Sequence, residues 1–168
     1  MQRLKRMLRH GLSSDRQCRC LFSNDVLTAI EQATKACESR HAGEIRFAVE
    51  TALPFPALWH DVSARMRAIE IFAREHVWDT EHNNGVLIYL MLAERRVEIV
   101  ADRGISRHVP DAHWQAVVQH LGRHLQTGDY DSGLTQALEE VSALLVQHFP
   151  LQAGEANPNE LSNRVVWA

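Results

Sequence analysis

Three groups of side chains in this chain are of types that can do chemistry. The first is acidic and amidic. Asp79 and Glu81 precede Asn83-Asn84-Gly85, Asp102 is followed by Arg103, and Glu44 opens an alternating segment. Carboxylate and amide oxygens are hard ligands suited to Ca²⁺ or Mg²⁺, and a neighbouring arginine can hold a phosphate oxygen pair. Metal-assisted phosphate chemistry needs an open coordination position and an anion-binding group, which Asp102-Arg103 could supply. The competing reading makes Asn83-Asn84-Gly85 a plain turn and pairs Glu44 and Asp102 with Arg46 and Arg103.

The second group is His113, His120 and His124, which fall within about 40° of one another at helical spacing. His120 and His124 form an i, i+4 pair that can chelate zinc. No Glu follows the first of them, as H-E-x-x-H would require, and Trp114, Val117, Val118, Leu121 and Leu125 fill the adjoining face. They read as histidines at the boundary of an amphipathic helix. The third group is the cysteines. Cys18 and Cys20 form C-x-C in an arginine-rich segment without a second pair at zinc-finger spacing, so they and Cys37 read as free thiols. There is no P-loop, no G-x-G-x-x-G after a strand and no G-x-S-x-G elbow. Asp102-Arg103-Gly104 carries no cysteine nucleophile, and Ser106 has no evident base, so no nucleophile can be named.

The elements that must position these groups follow from hydrophobic periodicity. Ser23 or Asn24 caps a helix with Val26, Leu27, Ile30, Ala33 and Cys37 on one stripe, ending near Gly43. Glu44 to Glu50 alternates as a strand, and Pro54 and Pro56 punctuate a loop. A helix spans about Asp61 to His76. The apolar run Val86 to Leu92 fits a strand covered on both faces. Ala93-Glu94-Arg95-Arg96 turns it into the alternating strand Val97 to Asp102, an antiparallel hairpin. Helices from Asp111 to about Gln126 and from about Ser132 to His148 complete the order.

A strand–helix–strand unit crosses over right-handed and leaves its strands parallel. The expected architecture is therefore α/β: a three-layer α/β/α sandwich with a small mixed Rossmann-like sheet, its centre at Val86–Leu92. In that topology Asp102 and Arg103 lie near Gly43-Glu44 and near Asn83-Asn84-Gly85, with Asp79 or Glu81 above them.

Length and charge narrow the rest. A chain of 168 residues with 45% hydrophobic and 23% charged residues suits one domain. The formal charge of −3 argues against a dedicated nucleic-acid binder. No run reaches the roughly 18 apolar residues that span a bilayer. Arg3, Lys5, Arg6 and Arg9 are followed by Gly11-Leu12-Ser13-Ser14-Asp15-Arg16, not by the apolar core of a signal peptide, which points to the cytoplasm. Leu4, Met7, Leu8 and Leu12 stand at helical spacing among those cations. They describe a short basic amphipathic helix that either packs on its own domain or rests on an anionic membrane surface. The chain divides into a basic segment 1–21, expected to be dispensable for folding, a domain 22–150, and a loose tail 151–168 rich in Gly, Asn and Pro.

Taken together, Gly43-Glu44-Ile45-Arg46, Asn83-Asn84-Gly85-Val86-Leu87-Ile88-Tyr89 and Arg95 to Ile105 resemble the TPM domain family. Val109-Pro110-Asp111 with Trp114, and Gly128-Asp129-Tyr130-x-x-Gly133-Leu134, add to the likeness, which runs from about Phe22 to Pro150. Family members include thylakoid-lumen phosphatase-like and photosystem II repair proteins and a nematode receptor modulator. The resemblance implies an α/β/α domain, a divalent-cation site of acidic residues, here carried over to Asp79, Glu81, Asn84 and Asp102 with Glu44 nearby, and an acid-phosphatase activity with Arg103 as the anion-binding group. It also implies a protein partner in a membrane-associated assembly, of the LemA type in bacteria. Fold likeness is weak warrant for catalysis, so the favoured expectation is an accessory protein-interaction domain, and the alternative a metal-dependent acid phosphatase acting on phosphomonoesters.

Overall fold

Every residue from Gly85 to Met91 is buried, as a strand covered on both faces must be. In the computed structural model, which describes residues 2–13 and 22–168, this strand is β2 (Gly85–Met91). It sits between β1 (Glu44–Glu50), parallel, with Ile45 opposite Val86, and β3 (Arg96–Ala101), antiparallel, with Ala101 opposite Val86. Its alternate residues divide between two cores. Val86, Ile88 and Leu90 meet α2 (Asn24–Glu38), α6 (Asp111–Thr127) and α7 (Tyr130–His148) on one face. Leu87, Tyr89 and Met91 meet α3 (Phe55–Trp59) and α4 (Ala64–Arg74) on the other. The α/β/α sandwich follows from that division.

Local signals set most boundaries. Ser23 and Ser63 accept the backbone N–H of Val26 and Met66, capping α2 and α4. Helix α4 starts three residues later than expected because Asp61 sits at φ 56, outside helical geometry, and Ser63 supplies the cap. The loop expected around Pro54 and Pro56 contains α3. Proline there falls at the cap and in the first turn, where a missing N–H breaks no helical bond. A second short helix, α5 (Arg103–Ser106), follows β3, and α1 (Gln2–Leu12) lies at the amino end.

The expectation of a loose tail over 151–168 is corrected. Residues 166–167 form β4 (Val166–Trp167), parallel to β1 at Ala48 and Val49, so the sheet order is β3-β2-β1-β4. Two residues are too few to show a period. The strand forms because it covers the open edge of β1, and because side chains from the domain hold the segment leading to it. Among the described residues no helix is long and apolar enough to cross a membrane. Cys37 is a buried free thiol whose pKa burial pushes up, whereas Cys18 and Cys20 lie outside the described residues.

Candidate functional site

The mixed topology lines up Glu44, Gly85 and Asp102 at one end of the sheet. Glu44 stands opposite Gly85 in the β1–β2 register, and the Asp102 N–H donates to the Gly85 carbonyl at 2.9 Å. Asp102 is buried. Its Oδ1 accepts the Arg103 N–H at 2.7 Å and so caps α5, while its Oδ2 is buried without a hydrogen-bond partner. Asn84, the residue before β2, is fully buried. Its backbone N–H donates to Thr80 Oγ1 at 3.1 Å and its Nδ2 to the Ala42 carbonyl at 3.0 Å, leaving Oδ1 unpartnered. The Ala42 bond fixes which way the amide points. Buried acceptors without partners are rare and costly, so two at one sheet end mark it out.

The other candidate residues take different places. The buried Glu44 carboxylate accepts the backbone N–H groups of Glu160 and Leu161 at 3.1 and 3.2 Å, and burial raises its pKa. It anchors the C-terminal segment. Asp79 and Glu81 are exposed, and Glu81 takes part only through its main chain, which donates to the Glu160 carboxylate. Arg103 is exposed, its Nε donating to Asn83 Oδ1 at 2.6 Å. The arginine pairing expected for a purely structural cluster is corrected as well: Arg46 pairs with Glu75, and Arg103 with Asn83. Among the described residues no group of three or more His, Cys, Asp or Glu is placed to hold a metal ion. The side-chain oxygens left without a partner at this end are Asn84 Oδ1 and Asp102 Oδ2, each of the hard type that Ca²⁺ or Mg²⁺ takes together with water.

The histidines of α6 are tied to the neighbouring helix. His120 Nδ1 lies 2.9 Å from Glu140 Oε1, and His124 lies 3.1 Å from both Asp129 Oδ2 and Gln136 Oε1. His113 is exposed. The pair lines a shallow cavity of about 380 Å³ with Arg123, Thr127 and Gln136, and its ring nitrogens serve α6–α7 packing.

Two polar centres have no counterpart in the sequence reading. Buried Glu38, at the end of α2, accepts the Ile45 N–H at 2.9 Å and the Asn163 side-chain amide, and burial lifts its pKa to about 7. Buried His41 has its Nδ1 against the Gly43 carbonyl and its pKa pushed down to about 4, again by burial. Asn157 caps the carbonyls of both His41 and Gly43. Because residues 157–163 do the burying, nothing in the local sequence of Glu38 or His41 announces it. At the opposite end of β1, Glu50 takes two bonds from Arg67 Nε and one from Nη2 and accepts the Tyr89 hydroxyl at 2.6 Å.

Comparison with known proteins agrees with this fold. The TPM domain description matches residues 19–144. The chain is similar to the solution structure of BA42 from the psychrophilic bacterium Bizionia argentinensis, at 25% identity and a TM-score of 0.73 over 87% of this chain and 94% of that one. It also shares the fold of an N-terminal domain from P. gingivalis, at 23% identity and a TM-score of 0.60 over 77% of this chain and 82% of that one. No curated protein sequence matches it. With three quarters of its length covered in one unbroken match, the chain belongs to the TPM domain family.

Proposed function

We propose that this chain is a non-catalytic accessory domain of a membrane-associated assembly, and that its Asn84–Asp102 end takes a divalent cation, Ca²⁺ or Mg²⁺. The carrying observation is how the side chains there are committed. Asp102 Oδ1 caps α5, Glu44 holds residues 160–161, and Arg103 holds Asn83, so the groups a phosphatase would use are building the fold. What stays uncommitted is one carboxylate oxygen and one amide oxygen, both acceptors. Acceptors attract a cation and repel a phosphate. A bound ion would neutralise the buried Asp102 oxygen and tie the loop before β2 to the β3–α5 junction. The family likeness points to a LemA-type membrane protein as the partner class.

The experiment is a melt of the full chain with Ca²⁺ or Mg²⁺ added. An ion that binds only the native state, at a hundredfold excess over its dissociation constant, adds about 2.7 kcal/mol. Wild type should melt higher with the ion, and Asp102→Asn, which keeps the shape and the cap, should not respond. An unchanged wild-type melt at millimolar levels of both ions overturns the cation site. Phosphomonoester hydrolysis by wild type that is lost in folded Asp102→Asn overturns the non-catalytic reading in favour of a metal-dependent phosphatase.

A further inference from the structure

Helix α1 is docked with its polar face inward. Arg6 donates to Glu94 at 2.6 Å, to Asp61 at 2.9 Å and to the Val62 carbonyl at 2.6 Å. His10, only 4% exposed, is held between the Leu53 N–H and Glu94. At about 100° per residue, Leu4, Leu8 and Leu12 centre about 180° from the midpoint of Arg6 and His10. They point away from the protein, 63%, 56% and 79% exposed. An amphipathic helix on a globular domain ordinarily turns its apolar stripe inward. This one spends its polar groups on docking and leaves the leucines outside.

The surroundings say what covers them. Beside the stripe, a cavity of about 500 Å³ is lined by Lys5, Arg6, Arg9, Arg96 and Glu94, and the one carboxylate in it is already bonded to Arg6 and His10. On α3, which lies between the Leu53 and Asp61 contacts of α1, Phe55 and Trp59 are exposed with their rings 6.1 Å apart. Leucines flanked by cations, with aromatic rings on the adjoining helix, match the interface of an anionic bilayer: acyl chains for the leucines, phosphate headgroups for the cations.

We propose that the outward leucine face of α1 seats this protein on a membrane of anionic phospholipid, with headgroup phosphate in the Lys5–Arg9–Arg96 cleft. The inference deepens the membrane part of the proposed function and rests on it, but not on the cation site. Glu94 follows the C-terminal end of β2 and Asn84 precedes its N-terminal end, so a strand of about 20 Å separates the two surfaces. Seating by α1 leaves the Asp102 end free for a partner.

The test is cosedimentation of the full chain with phosphatidylcholine vesicles, with and without phosphatidylglycerol. Wild type should bind the phosphatidylglycerol vesicles and release at high salt. The triple variant Leu4→Gln, Leu8→Gln, Leu12→Gln should bind about tenfold more weakly or worse. Lys5→Glu with Arg9→Glu should remove the preference for anionic lipid, and since both side chains are exposed it settles the matter if the leucine variant fails to fold. Asp102→Asn should bind like wild type, so failure of the cation test leaves this result standing. Wild type left in the supernatant, or a folded leucine variant bound as tightly as wild type, overturns the proposal. A concentration-dependent dimer without vesicle binding does so too.

Discussion

His10 Nδ1 accepts the Leu53 backbone N–H at 3.0 Å, while Nε2 of the same ring lies 2.8 Å from Glu94 Oε1. The two contacts fix the tautomer: Nδ1 carries the lone pair, and Nε2–H is donated to the carboxylate. One buried side chain thus pins α1 to the segment after β1 and to the β2–β3 turn at once. Arg6, one turn earlier, reaches the same carboxylate.

Replacing His10 by Ala leaves the Leu53 N–H without its partner and Glu94 with Arg6 alone. Truncating a buried hydrogen-bonding group costs about 1–3 kcal/mol, and that loss falls on the docking of α1 rather than on the sheet. Amide exchange should quicken at Leu53 and stay slow in β2. Unchanged exchange at Leu53 would show that α1 is held by something other than His10.

Glu38 and His41 set opposite pH slopes. The folded pKa of Glu38, about 7, stands above its ordinary 4.5, so its contribution is fully present below pH 4.5 and is lost as the pH rises through 7. The folded pKa of His41, about 4, stands below its ordinary 6.5, so its contribution is present above pH 6.5 and is lost as the pH falls through 4. Each amounts to roughly 3 kcal/mol at most, at about 1.36 kcal/mol per unit. Over pH 4.5 to 6.5 the two offset one another, with the raised Glu44 adding to the Glu38 side. Glu38→Gln should unmask a melting temperature that falls on acidification. His41→Asn, whose amide keeps the donor to Gly43, should unmask one that falls as the pH rises from 5 to 8. Parallel pH profiles for the two variants would contradict this assignment.

These two groups also show where the sequence stops being legible. The apolar run at Val86–Leu92 and the alternation of Ile45, Phe47 and Val49 are local patterns imposed by burial on strand faces, and topology alone then brings Glu44, Asn84 and Asp102 to one edge. Glu38 and His41 look like ordinary polar residues at a helix end, because the segment that buries them reads as a tail. Helices α3 and α5 are too short for periodicity and exist through their caps and tertiary contacts. Asp79 and Glu81 share the loop before β2 but stay exposed, whereas Asn84, just after the left-handed turn at Asn83, φ 52, is buried.

Deleting residues 164–168 should expose the edge of β1. Val165 and Trp167 pack on one core, Val166 and Ala168 on the other, and Phe22 meets Trp167 edge-on at 6.1 Å between ring centroids. Removing that partly buried apolar area costs on the order of 3 kcal/mol. An uncovered strand edge also invites pairing between copies. A lower melt with concentration-dependent association on gel filtration is the expected result. A melt like that of wild type would mean that β4 covers nothing of consequence.

Gly104 supports the Asn84–Asp102 end from behind. Its N–H donates to the Asn83 carbonyl at 2.8 Å, and a Cβ added there would stand 2.3 Å from the His82 carbonyl oxygen and 2.5 Å from that of Asn83. Both obstacles are backbone, so the loop itself would have to move. Gly104→Ala should cost about 1–3 kcal/mol, as overpacking does. Because the displaced loop carries Asn84, the variant should also lose the cation-induced rise in melting temperature while Asp102 is intact. The reference is Ser106→Ala, an exposed change in the same short helix that removes only a bond to the Ala101 carbonyl and should keep that rise. If Gly104→Ala folds and still responds to the ion as wild type does, the loop before β2 takes no part in holding it, and Asp102 would have to act without Asn84.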